Sequence, residues 1–210
     1  MKVVVLGATG AIGSEIAGEL VRRGHDVLGV SRSADEPRPW ATARADATDA
    51  AAVAESCLGA DVLASAVGPR HDQDDDRDTI VGTANALVEA SRKSGVGRLV
   101  VLGGAGSLLT PNGTQLVHSP GFPKMWKANA LAQAEALDLF RSTADLNWTY
   151  VSPAAEIFPG NRLGRWRIGY DELLVGDDGH SRISIADFAA AFADEVERPD
   201  ARRARVCVAY

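Results

Sequence analysis

Short apolar runs of strand length alternate along the chain with longer stretches whose apolar residues recur every three or four positions. The runs are Val3 to Leu6, Val27 to Val30, Val62 to Ala66, Leu99 to Leu102 and Trp148 to Val151, each bounded as a strand would be. Between the first two, Ile12, Ile16, Ala17, Leu20 and Val21 form one stripe over Ala11 to Val21, and Gly24 follows where a left-handed cap would end a helix. The same period, with residues that favour helix, predicts helices over Thr79 to Ser94, from about Lys124 to Ser142 and near Ala186 to Val196. Such alternation implies an α/β fold of parallel strands joined by crossover helices. After Pro153 the period weakens, because Pro159-Gly160, Gly164, Gly169, Gly176 and Gly179 break up short apolar pieces. A single domain over 1–210, with 154–210 contributing a small lobe at the sheet edge, is the expected organisation.

Composition narrows the classes. The 210 residues are 46% hydrophobic and 24% charged, ordinary for a globular protein, and no apolar run approaches the roughly 20 residues that cross a bilayer. The opening Met1-Lys2 leads directly into VVVLG, too short for a signal-peptide core and followed by glycines, so a cytoplasmic location is expected. A net charge of -6 disfavours nonspecific nucleic-acid binding while leaving room for a local basic phosphate pocket. Cys57 and Cys207 lie far apart with no CxxC pair, which predicts two buried free thiols and neither a disulfide framework nor a thiolate metal site. The acidic run HDQDDDRD, residues 71–78, reads as a solvated loop entering a helix N-terminus and not as a metal cage.

Candidate chemistry begins in VVVLGATGAIGSEIAGEL, where Gly7, Gly10 and Gly13 join the first strand to the first helix with GxxGxxG spacing. Glycines there permit unusual dihedrals, keep side chains away from a pyrophosphate and let helix and strand pack closely. Free amides at the helix start then hold the anion. At the end of the second strand the text is Gly29-Val30-Ser31-Arg32-Ser33, with no carboxylate to grip ribose hydroxyls. Arg32 offers a planar fork for a 2′-phosphate, and Ser31 or Ser33 adds a hydroxyl. NADP, with NADPH preferred over NADH, is the expected cofactor, against the plainer reading of Arg32 as a solvated surface arginine.

On GATGAIG, LVVLGGAGSL, FPKMWKANALAQAEALDLFR, LNWTYVSPAAEIFPGNR and DDGHSRISIADFAAAFADEVE, the chain resembles the atypical short-chain dehydrogenase/reductase superfamily. It is most similar to the NADH-flavin reductase group near biliverdin reductase B and the NmrA-like proteins. The resemblance covers nearly the whole chain and implies a Rossmann-type doubly wound parallel sheet with a short C-terminal substrate lobe. It also implies that Gly7, Thr9, Gly10, Ala11 and Ile12, with Gly13, surround the pyrophosphate and that Arg32 meets the adenosine phosphate. Asp46 would meet the adenine edge, Ala66, Val67 and Gly68 the ribose, and Pro153 with Ala154 the nicotinamide. Read from residues alone, Asp46 equally suits capping of a helix that starts near Asp49, and Pro153 equally suits a strand end.

Many short-chain dehydrogenases protonate substrate through Tyr-x-x-x-Lys, whose members share a helix face. Here Trp126 and Ala130 occupy the corresponding positions, and neither an indole nor a methyl group is an acid. Lys124 and Lys127 do not share a face with position 126. An acceptor that takes hydride into a delocalised ring and its proton from solvent needs no such acid, only orientation of two planar rings. The implied activity is therefore an NAD(P)H-dependent reduction of free flavin (FMN or FAD as substrate), a quinone or a tetrapyrrole. Candidate catalytic residues are Trp126 as apolar wall, Ser107 and His118, with core packing, turn capping and a surface histidine as the respective alternatives. Trp166 and Tyr170 are expected near the same cleft. Two competing classes remain: an NmrA-like NADP-binding sensor without turnover, and a nucleotide-sugar epimerase or dehydratase. A monomer or homodimer with a small-molecule partner, and no nucleic acid, membrane or metal, is expected.

Overall fold

The computed structural model describes residues 1–33, 37–68, 76–198 and 203–210. Most of the acidic run falls at 71–75, outside the described residues. Five strands lie where the apolar runs predict them: β1 (Lys2–Leu6), β2 (Asp26–Ser31), β4 (Val62–Ser65), β5 (Arg98–Leu102) and β6 (Trp148–Pro153). Between them run α1 (Ala11–Arg22), α3 (Asp76–Ser94) and α4 (Lys124–Ser142), and α5 (Ile185–Glu197) follows. Gly24 takes φ +84° just past α1, as the cap requires. Two elements lacked a periodic signal. The short β3 (Ala41–Arg44) is mostly exposed, and α2 (Ala50–Ser56) is only seven residues long.

Strand order is β3-β2-β1-β4-β5-β6-β10-β8, with β8 (Arg167–Gly169) and β10 (Ala204–Ala209) drawn from the tail. All neighbours are parallel except β8, which runs antiparallel to β10. From β1 the chain builds outward to β2 and β3, then returns to the other side of β1 for β4, β5 and β6. That reversal makes a crevice at the carboxyl ends of β1 and β4, where open α/β sheets bind ligands. One face carries α1 and α5 over Val3, Val5, Ile16, Leu20, Phe188 and Phe192; the other carries α2, α3 and α4 over Val4, Leu6, Leu63, Leu99, Phe140 and Tyr150.

The tail is thus more than a lobe. β10 sits beside β6 as a fully internal strand, because the continuous apolar run VCVA at 206–209 can bury both faces. What stays outside the main sheet is the pair β7 (Glu156–Phe158) and β9 (Arg182–Ser184), joined in parallel. Among the described residues no helix is long and apolar enough to cross a membrane. Cys57 and Cys207 are free and buried.

Candidate functional site

The glycine turn is built by backbone proximity. Gly7 donates its amide to the Val30 carbonyl at 2.9 Å, while Ala66 donates to Leu6 at 2.9 Å, so the ends of β2, β1 and β4 are tied side by side. Gly7 sits at φ +75°, and a Cβ there would come within 2.9 Å of the Ala66 carbonyl oxygen. Gly13, buried in the first turn of α1, is tighter: its Cβ would lie 2.1 Å from the Gly7 oxygen. Only hydrogen fits at either place.

The helix start is also chemically open. Gly10 caps α1 without a side-chain hydrogen bond, and the first turn holds no acidic residue. The amides of Ala11, Ile12 and Gly13 have no partner within the helix by geometry, and Thr9, Gly10 and Ala11 are exposed beside them. An anion would meet donors and the positive end of the helix dipole with no competing carboxylate, so this cradle fits a diphosphate.

Around it the fold gathers residues that are far apart in sequence. Ala66, Val67 and Gly68 follow β4 against the turn, and Ser31 ends β2 with Arg32 and Ser33 after it. Arg32 and Ser33 are exposed. The Ser31 hydroxyl donates to the Ser33 carbonyl at 2.6 Å, which shapes the chain around Arg32 and leaves Ser31 an acceptor in this arrangement. Asp46 is not the cap of α2: Asp49 is, its carboxylate accepting from the amides of Ala51 and Ala52. Asp46 instead accepts from the amide and hydroxyl of Thr48 at 2.9 and 2.8 Å and stays exposed at the sheet edge. Pro153 ends β6, and Ala154 beside it is buried.

The catalytic candidates are not gathered into one constellation by any hydrogen bond among the described residues. Trp126 lies in the first turn of α4 and is 38% exposed, so it is no core residue. Ala130, one turn on, is buried, and its Cβ lies 2.5 Å from where a Cβ on Gly106 would be. Position 106 therefore admits only glycine, and Ala130 is packed against it in buried surroundings. Ser107 is buried and accepts from the Arg205 guanidinium at 2.8 Å, while Arg205 also pairs with Asp171. This ties the loop after β5 to β10 and gives Ser107 a packing role. His118 is exposed at the end of a single 3₁₀ turn, Leu116–His118.

Sequence reasoning missed a buried carboxylate in the tail. Asp187, in the first turn of α5, accepts from the Leu163 and Gly164 amides at 2.8 and 2.9 Å and from the Tyr210 hydroxyl at 2.6 Å, and exchanges hydrogen bonds with Ser184. Burial pushes its carboxyl up, but these donors outweigh burial and hold it below the usual aspartate range. The signal was available, since Ser184-x-x-Asp187 before an apolar run is an N-terminal capping pattern. A cavity of about 690 Å³ lies in the same region, walled by Phe158, Leu163, Trp166 and Tyr210 with Arg165 and Arg182 at its edge. Trp166 lines it, but Tyr170, Ser107, His118 and Trp126 do not, so it is not the cleft shared with the catalytic candidates.

Comparison with known proteins agrees with the cradle. A family described as NAD(P)H-binding matches residues 7–196. Among solved structures, a candidate exported protein from Burkholderia pseudomallei is 44% identical with both chains fully covered and a TM-score of 0.92. A candidate epimerase from Bacteroides thetaiotaomicron is 33% identical over 100% of this chain and 96% of its own, with a TM-score of 0.91. A candidate NADH-flavin reductase from Streptococcus pneumoniae is 31% identical over 100% of this chain and 99% of its own, with a TM-score of 0.90.

Proposed function

Since the chain belongs to the NAD(P)H-binding family, we propose that it is an NADPH-dependent reductase of free flavin or a similar planar acceptor, such as a quinone or tetrapyrrole. The observation that carries this reading is the pairing of an open diphosphate cradle with an α4 that has no acid at the active positions. Trp126 stands partly exposed where a tyrosine would act, and Ala130, buried beside Gly106, brings no charge. When bound, the reduced nicotinamide supplies the hydride. The chain's own part is to hold and to shield: the amides of Ala11, Ile12 and Gly13 receive the diphosphate, Arg32 the adenosine phosphate, and Pro153 with Ala154 border the nicotinamide end. Trp126 offers an apolar wall against a planar ring, and the proton comes from solvent. Losing a positioned acid costs about 10² to 10⁴ in rate where the substrate is a carbonyl, but nothing where no acid is used. Likeness to the Streptococcus pneumoniae protein named as a candidate NADH-flavin reductase supports this reading.

The test is oxidation of NADPH followed by loss of its absorbance with FMN, FAD or a quinone. Trp126→Ala should lower kcat/KM for the acceptor about tenfold, as expected for a lost aromatic contact, with NADP⁺ affinity unchanged. Tight NADP⁺ binding with no turnover on any acceptor would replace this reading with the NmrA-like sensor, which the same missing acid favours. The epimerase reading, to which the Bacteroides thetaiotaomicron relative's name points, ranks below both because it needs the absent pair. The cytoplasmic location is part of the proposal. Recovery of the native protein outside the cell, as the Burkholderia pseudomallei relative's name implies for that protein, would overturn it.

A further inference from the structure

Arg44 is the last residue of β3, and the strand register sets it beside Ser31, the last residue of β2. Partners in a parallel ladder share a face. One pair back, Val30 and Ala43 both pack on the side of α2, α3 and α4, so Ser31 and Arg44 turn to the side of α1. On that side the next pair down is closed: the Trp40 indole lies over Gly29 so tightly that a Cβ there would fall 2.5 Å from its Nε1. The indole packs against the α1 core. Arg44 is thereby left at the rim, exposed, next to the Ser31–Arg32–Ser33 turn, with no ion pair or hydrogen bond to any described residue. A phosphate monoester carries about -1.5 to -2 charges and three acceptor oxygens. One guanidinium neutralises one charge and spans two oxygens.

We infer that Arg44 is the second cation for the 2′-phosphate of NADP, and so a determinant of cofactor choice. The inference rests on the NADP reading and adds a residue to it. The experiment is calorimetric titration of the wild type, Arg32→Ala, Arg44→Ala and Arg44→Lys with NADP⁺, NAD⁺, 2′,5′-ADP and 5′-ADP, with melting curves to check folding. The expected result is that Arg44→Ala weakens NADP⁺ and 2′,5′-ADP about tenfold, as for one charge-assisted contact at an exposed site, and leaves NAD⁺ and 5′-ADP unchanged. Arg44→Lys should recover part of the loss. Equal weakening of all four ligands, or no change with Arg44→Ala while Arg32→Ala loses selectivity, overturns Arg44 but keeps the phosphate site. A wild type that binds NAD⁺ as tightly as NADP⁺ overturns the NADP reading itself, and Arg44 with it.

Discussion

Replacing Gly13 by alanine tests the cradle against a control in the same helix. At position 13 the new methyl would stand 2.1 Å from the Gly7 oxygen and 2.8 Å from its carbonyl carbon, both backbone atoms that cannot swing aside. At position 18 the nearest atom is a Trp40 ring carbon at 3.9 Å, an ordinary contact. Each substitution gains about 0.8–1 kcal/mol of helix propensity. Gly18→Ala keeps that gain, which for a chain of this size raises the melting midpoint by about 2–4 °C. Gly13→Ala must push the first turn of α1 about 1 Å from β1, an overpacking cost of about 1–3 kcal/mol, so it should melt lower than Gly18→Ala and no higher than wild type. The displaced amides lose at least one charge-assisted hydrogen bond worth about 1.5–3 kcal/mol, which weakens NADP⁺ binding at least about tenfold. Melting curves and calorimetric titration read both effects. A Gly13→Ala protein that binds NADP⁺ within about twofold of wild type would refute the reasoning, because the amides would then not be the anion's seat.

Other outcomes follow from the tail and the helix. Asp187 has its carboxyl held below the ordinary range, so its contribution to stability is complete above the unfolded pKa and is lost as pH falls through that range toward the lower folded value. Asp187→Asn should therefore be less stable at neutral pH and show a shallower acid-side decline in denaturant titrations; an unchanged decline would remove that role. Restoring the absent pair as Trp126→Tyr with Ala130→Lys should destabilise by about 1–3 kcal/mol, because Ala130 is buried and a longer side chain there overpacks its surroundings, and yield no carbonyl reductase. A double mutant as stable as wild type and active on a carbonyl would disprove that reasoning. Burial pushes the Cys57 thiol up to about 11, and Cys207 is raised too, also by burial. Neither should react with a disulfide thiol reagent until the protein unfolds, which a stopped reaction before and after denaturant would decide.

The long elements were legible because burial imposes a period. α1 was read from its apolar stripe and α4 from its helix-favouring residues, and the observed bounds of α4 coincide with those predicted. Trp126 was legible as an aromatic residue opening a helix, but not its exposure, which depends on what packs over the first turn of α4. β3 was not legible, since an exposed edge strand carries no apolar pattern; with it went Arg44. Ser107 was legible as a hydroxyl after β5 but not as the partner of Arg205, 98 residues away.

Local chemistry therefore determined the glycine turn and the strand-helix alternation, because each depends on neighbours within a few residues. Tertiary structure alone decided that β10 enters the sheet, that Ala130 leaves room only for glycine at position 106 and that Ser31 and Arg44 stand side by side. Those contacts arise from register and crossover between segments far apart in the chain, and no periodicity within a segment carries information about the element it will meet.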